Sequence, residues 1–280
     1  MKKLLFLAFF TLIFGALLLQ AQDRPLRIIA IGAHPDDCDS KFGGTAALFA
    51  EMGHEVKFLS LTNGDAGHQS QGGGALAKRR RAEAKEAGKR LGIAEYEVLD
   101  NHDAELEPTL HVRHQVIRRI REWNADVVLG LRPNDYHPDH RNAGKVVQDA
   151  AYMVVVPNVT PDTPPLEKNP LFLYMQDRFQ RPYPFTPEIV IAIDKTIDKK
   201  VAALDAHVSQ FYEWMPWVAR ESDQVPEGKE ERKAWLAKRV KEGYSHITPE
   251  MREGLEKWYG AGKAAEVEYA EAFEIAEYGM

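Results

Sequence analysis

From residue 26 onward, short apolar runs alternate with amphipathic stretches. Residues 26–31 include Leu26, Ile28, Ile29, Ala30 and Ile31 and read as a buried first strand. Residues 42–52 read as a helix stopped by Gly53, and 56–61 as a second strand ending in the turn Thr62-Asn63-Gly64-Asp65. A polar, glycine-rich loop at 69–74 leads to a charged helix at 76–91, closed by Gly92. A third strand follows at 96–99. In 109–123 Val112, Val116, Ile120 and Trp123 recur about every fourth position, which predicts a helix before a fourth strand at 127–131. Strands separated by helices of this length imply parallel βαβ units. The expected fold class is therefore α/β, an open, mostly parallel sheet with helices on both faces in three layers, Rossmann-like.

The last third is less regular. Residues 157–170 are proline-rich loop, 171–175 and 188–193 read as strands, and Pro182-Tyr183-Pro184 marks a loop between them. Asp194 is placed to cap a helix whose apolar face is Ile197, Val201, Leu204 and Val208. The remainder is charged and helical in character and carries Trp214, Trp217, Trp235 and Trp258. No repeat or internal boundary is visible. Residues 22–280 are expected to form one domain with a helical extension from about 211.

Residues 1–21 are different material. Lys2 and Lys3 precede a stretch, 4–19, that is apolar apart from Thr11 and Gly15, and Leu19-Gln20-Ala21 suits a small-residue cleavage rule. This reads as a signal peptide cleaved near Ala21, giving an exported protein, periplasmic or extracellular. An N-terminal membrane anchor is the competing reading, since the run approaches the shortest spanning length. Polar Gln22-Asp23-Arg24 favours cleavage. Any membrane association is expected only through this export signal.

Composition narrows the chemistry. Of 280 residues, 44% are hydrophobic and 28% charged, an ordinary globular balance, and the net charge of -6 gives no reason to expect a nucleic-acid partner. The run Lys78-Arg79-Arg80-Arg81 reads mainly as a solvated helix face within reach of Glu83 and Glu86. The single cysteine, Cys38, excludes an intrachain disulfide and a cysteine-built zinc site.

The chemistry gathers in two clusters. Ala33-His34-Pro35-Asp36-Asp37 follows the first strand and His137-Pro138-Asp139-His140 the fourth. Ligands of an open parallel sheet bind outside the carboxyl ends of its strands, so topology brings both clusters to one edge. Two histidines and one carboxylate with an open fourth position make a hydrolytic zinc site, and either aspartate can complete the set. A His-Pro-Asp-Asp turn can also do no more than cap the next helix. The second cluster favours metal.

These motifs resemble the PIG-L/LmbE family of zinc-dependent sugar N-deacetylases. Three weaker features agree in order: Asn63-Gly64, the spaced set Arg80, Glu83, Ala87, Leu91 and Gly92, and Ala206-His207-Val208-Ser209-Gln210. The similarity covers most of 26–211. It implies zinc held by His34, Asp37 and His140, Asp36 as general base, His137 as acid or oxyanion stabiliser, and Asp139 orienting His137. The substrate implied is an N-acetylglucosamine-type amino sugar or glycoconjugate; an amidase of a larger sugar conjugate and a non-catalytic glycan-binding protein are the alternatives. The donor set does not select zinc strictly over another divalent ion. Arg80 and His207 are candidate substrate contacts, each with a structural role as the competing reading, and Trp214 and Trp217 are either a sugar-stacking wall or packing. Cys38 stands where the family has Glu and is expected to pack as a small apolar residue. Asp135 stands where some members have tyrosine, with Tyr136 next to it.

Overall fold

A computed structural model describes residues 24–279; the expected signal peptide and cleavage point lie outside these residues. The sheet has seven strands: β1 (Arg27–Gly32), β2 (Glu55–Thr62), β3 (Glu95–Asn101), β4 (Val127–Gly130), β5 (Leu171–Met175), β6 (Ile189–Ala192) and β7 (Ala270–Ile275), in the order β3-β2-β1-β4-β5-β7-β6. The first five pair in parallel, while β7 runs antiparallel to both β5 and β6. The α/β class and the mostly parallel sheet agree with the sequence reading.

The chain moves outward from β1 through α1 (Asp37–Glu51), β2, α2 (Gly73–Leu91) and β3. It then returns across β1 through α3 (Leu110–Trp123) to β4, and α4 (Pro138–Ala150) carries it on to β5. Right-handed crossovers therefore put α1 and α2 on one face and α3 and α4 on the other. Strand order reverses between β1 and β4, paired in register from Ile28 with Val127 to Ala30 with Leu129. Ile28, Ile29, Ala30 and Ile31 are all buried, because helices cover both faces. At Gly144 a Cβ would lie 2.5 Å from the Leu131 carbonyl oxygen, so only glycine lets α4 settle this close to the end of β4.

Most elements begin or end within a few residues of their predicted positions. Helix α1 starts at Asp37, five residues before the apolar pattern begins, because its first turn carries the site carboxylates rather than core residues. Asp194 does not cap α5 (Ile197–Ala206). Thr196 occupies that position, and Asp194 instead accepts from the backbone N–H groups of Glu268 and Tyr269.

After α5 comes a π-helical segment, Ser209–Trp214, then α6 (Met215–Ala219) and α7 (Lys229–Arg239). A second π-helical segment, Val240–Tyr244, precedes α8 (Pro249–Tyr259) and α9 (Ala261–Glu266). The region after 211 is thus not purely helical, since β7 inserts between β5 and β6. A buried ion pair fixes β7 to the helices. Glu271 accepts from Lys200 Nζ of α5 at 2.8 Å and from the Gly44 and Thr45 N–H groups of α1. Replacing Lys200 with Met leaves Glu271 buried and uncompensated. Urea unfolding should show a loss of about 3–5 kcal/mol, and an unchanged midpoint would contradict this bracing role.

Candidate metal centre at the carboxyl edge of the sheet

His34 leaves the end of β1, and His137 and His140 open α4 after β4, so the reversal of strand order brings them together. The rings of His34 and His140 lie 5.0 Å apart and those of His34 and His137 4.6 Å apart. His34 Nδ1 is 3.1 Å from His140 Nε2; Asp37 Oδ1 is 3.3 Å from that same nitrogen, and Asp37 Oδ2 is 3.7 Å from His34 Nδ1. Ligands at about 2.0–2.2 Å in tetrahedral array would stand about 3.3–3.6 Å apart; the separations here, 3.1–3.7 Å, bracket that range, with a different Asp37 oxygen facing each histidine. Asp37 is aimed by the backbone: its Oδ2 accepts from the N–H groups of Ala33 and His34, both at 2.8 Å.

The histidines belong to other possible sets as well: His34 with His137 and His140, or with Asp103 and Asp139. The second of these uses the opposite ring nitrogen, since His34 Nε2 is 3.0 Å from Asp103 Oδ1 and 3.4 Å from Asp139 Oδ2. Those carboxylates are engaged elsewhere, Asp103 with Arg80 at 3.6 Å and Asp139 with the N–H groups of Ala104 and Leu106. His34, Asp37 and His140 make a third candidate donor set. Its histidines are backed as metal-binding imidazoles usually are, by a carboxylate at the far nitrogen. Asp103 backs His34, and Asp135 Oδ1 lies 3.1 Å from His140 Nδ1. Sequence reasoning assigned neither aspartate a role.

Asp36 stands at the N-terminus of α1 without capping it. Its Oδ1 accepts from Arg80 Nη2 at 3.0 Å, and both side chains are buried. Arg80 is therefore not placed as a substrate contact; it holds Asp36. The Asn63-Gly64 turn makes this possible. Gly64 has φ of +71°, and a Cβ there would fall 2.6 Å from Arg80 Nη1.

His137 is half-buried. Its Nδ1 accepts from the Asp139 N–H at 3.2 Å, which assigns the proton of the neutral ring to Nε2. The Asp139 carboxylate, fixed on Ala104 and Leu106, does not orient His137 as expected; its backbone does. His207 is fully buried, 3.3 Å from Asp39 Oδ2, so it too is a structural group rather than a substrate contact. Its neighbour Ser209 binds Glu83, and Gln210 donates to the Gly67 carbonyl, so that motif braces α2 and the loop above the site. Cys38 packs in the core, where burial pushes its thiol up. The basic run on α2 is spent on acids: Arg79 on Glu83 and Glu213, Arg81 on Asp100.

Charge in the site is strongly coupled. Burial alone would lower the two ligand imidazoles. Asp37 and Asp135 nevertheless raise His140 to about 9, and Asp103, Asp139 and Asp37 raise His34 well above its usual value. Burial would raise Asp37, but His140 and His34 hold it well below the carboxylate range. Burial and the two neighbouring rings lower His137, which keeps it neutral at pH 7.

This geometry defines an α/β protein with a candidate divalent-metal centre where strand order reverses. Residues 29–151 match the PIG-L family, described as GlcNAc-PI de-N-acetylase. The chain is 31% identical over 198 residues to a diacetylchitobiose deacetylase of Thermococcus kodakarensis, covering 68% of this chain and 73% of that one. The chain belongs to the PIG-L/LmbE family. Among solved structures, the N,N'-diacetylchitobiose deacetylase of Pyrococcus horikoshii superposes with a TM-score of 0.65 at 24% identity, over 90% of this chain and 84% of that one. GalB, the 4-carboxy-2-hydroxymuconate hydratase of Pseudomonas putida, gives a TM-score of 0.65 at 20% identity, over 90% and 96%. These two likenesses show a shared fold.

Metal binding at neutral pH must displace the proton shared between His34 Nδ1 and His140 Nε2, which face each other at 3.1 Å in the metal-free protein. Calorimetry at pH 7 in buffers of different ionisation enthalpy should show proton release on zinc titration. With one proton displaced, affinity should rise about tenfold per pH unit and level near pH 9 as His140 deprotonates. Asp103→Asn should weaken zinc about 10–100-fold, and unchanged affinity would exclude the backing role.

Proposed function

We propose that this protein is a metal-dependent amide hydrolase that removes the acyl group, acetyl foremost, from an N-acetylglucosamine-type amino sugar or glycoconjugate. The observation that carries the reading is the convergence of His34 Nδ1, Asp37 and His140 Nε2 within 3.1–3.7 Å, beside a buried carboxylate, Asp36, that the donor set does not use. Relatives named as deacetylases of diacetylchitobiose and of N-acetylglucosaminyl malate support the substrate class. The proposal includes zinc as the ion and export through residues 1–21.

A zinc ion held by His34, Asp37 and His140 would polarise the scissile carbonyl and bring the pKa of water to about 7. Arg80 fixes one oxygen of Asp36, so the other takes the proton of the attacking water and later delivers it to the leaving amine. His137 presents its Nε2–H to the oxyanion as the carbonyl carbon becomes tetrahedral. Its lowered pKa favours this donor role over that of a standing imidazolium acid. Asp135 and Asp103 keep the ligand rings in register throughout.

Acetate release from N-acetylated sugars should be abolished by a chelator and restored by zinc. Asp36→Asn should lower kcat by about 10²–10⁴-fold with zinc content unchanged. Activity surviving in that variant would overturn the assignment of the base. A wild-type protein that binds zinc and sugar without releasing acetate would instead identify a binding protein.

A further inference from the structure

At 1% exposure Arg132 is the largest fully buried side chain among the described residues. It stands two residues past β4, between that strand and the His137 cluster. Its Nη1 is 3.2 Å from Asp177 Oδ1, on a side chain only 5% exposed, and its Nη2 donates to the Tyr183 carbonyl at 2.6 Å. The guanidinium carbon lies 5.0 Å from the centre of the Tyr183 ring and 5.9 Å from that of Phe185. All these partners belong to the segment that leaves the carboxyl end of β5, which pairs in parallel with β4. The segment therefore rises at the same edge as the candidate metal donors. Lys41 of α1 holds its start, donating to the Gln176 carbonyl at 2.9 Å.

Two chains of contact lead from Arg132 to His140. Through space, Asp177 Oδ1 also accepts from the Phe179 N–H at 2.9 Å, which fixes the turn carrying Phe179. The Phe179 ring lies 6.5 Å from that of Tyr136, and Tyr136 meets the rings of His137 and His140 edge-on at 5.7 and 5.6 Å. Along the backbone, Arg132 comes three residues before Asp135, whose Oδ1 accepts from the His137 N–H at 3.0 Å and lies 3.1 Å from His140 Nδ1. The backbone of Arg132 is itself pressed on α4, since a Cβ at Gly144 would fall 2.9 Å from the Arg132 carbonyl carbon. The turn that carries Asp135 and Tyr136 is thus gripped at its root.

Stability does not account for a guanidinium at this place. A buried ion pair is matched or bettered by apolar residues of similar volume, because desolvation offsets the attraction. Here the compensation is incomplete. Arg132 Nε has no hydrogen-bond partner, and burial holds the Asp177 carboxyl above its usual value although the Phe179 N–H and Arg132 pull it down. Geometry does account for it, since a planar fork holds a carboxylate and a carbonyl at a set angle while stacking on a ring. We infer that Arg132 is a positioning residue for the His140 side of the site: it ties the turn after β4 to the segment after β5, so that Asp135 and Tyr136 stay against His140. The inference rests on the proposed donor set for its metal readout alone.

The test uses the full chain carrying Arg132→Met with Asp177→Leu, which removes both charges and leaves neither buried alone. Its urea midpoint should equal or exceed that of the wild type. Zinc affinity should nevertheless fall about tenfold as Asp135 loosens from His140, and exchange of the His137 amide should quicken about tenfold. Arg132→Lys should fall in between, because an ammonium reaches Asp177 or the Tyr183 carbonyl but does not hold both in one plane. Unchanged affinity and exchange in the double variant would overturn the positioning role. A midpoint that drops in step with them would also overturn it, leaving Arg132 a brace of the fold. A wild-type protein that takes up no zinc would sink the proposed metal reading, and His137 exchange by itself then decides the role of Arg132.

Discussion

The adjacency of β1 and β4 is the constraint on which the site depends. These strands are 95 residues or more apart in sequence yet pair directly, because the chain builds outward on one side of β1 and returns to build on the other. Such a reversal leaves a crevice at the carboxyl ends of the two central strands, with no crossover helix to fill it. The turn after β1 supplies His34, Asp36 and Asp37, and the turn after β4 supplies His137 and His140. Gly144 matters for the same reason: a larger residue would hold α4 away from β4 and lift His140 off Asp37.

Much of this was legible because the first half of the chain obeys local rules. Buried parallel strands announce themselves as unbroken apolar runs; the first histidine cluster follows such a run directly, and the second follows β4 after a short loop. What escaped notice depends on meetings in space. Asp103 comes from the loop after β3, two strands away from His34, and Asp135 is marked in the sequence only as standing where some members of the family have tyrosine. Their signal was indirect, since a metal-binding imidazole wants a carboxylate at its second nitrogen. Arg80 was misread for a similar reason. A surface arginine is the ordinary expectation on a charged helix, and only the glycine turn at 64 admits its head to the interior. Strand β7 escaped because Glu271 shares a strand face with Phe273, which breaks the apolar alternation; its buried partner, Lys200, lies 71 residues earlier.

The fold does not by itself choose the reaction. GalB, named as a hydratase, shares the architecture as fully as a named deacetylase does. An edge that gathers histidines and carboxylates can activate water for more than one kind of electrophile, so function has to be argued from the site. In the proposed reading the distinguishing pieces are Asp36, held by Arg80 outside the proposed donor set, and a neutral His137 with its N–H at Nε2. Together they suit a carbonyl that becomes an oxyanion while its nitrogen leaves.

Charge balance gives the strongest physical reason for a cation. Asp36, Asp37, Asp103 and Asp139 are buried at this edge, the Asp135 carboxylate lies among them, and Arg80 is the guanidinium within reach of Asp36 and Asp103. Buried carboxylates without compensation are costly. The neighbouring carboxylates raise the imidazoles of His34 and His140 although burial pushes the other way, and a proton shared between the two rings meets part of that deficit in the metal-free protein. Those same nitrogens, once deprotonated, are donors at the spacing a divalent ion needs. Proton and metal thus compete for one pool of negative charge. Arg80 stands outside this exchange and donates to Asp36 at 3.0 Å. In the proposed reading that contact, rather than the metal donors, is what aims Asp36 as the base.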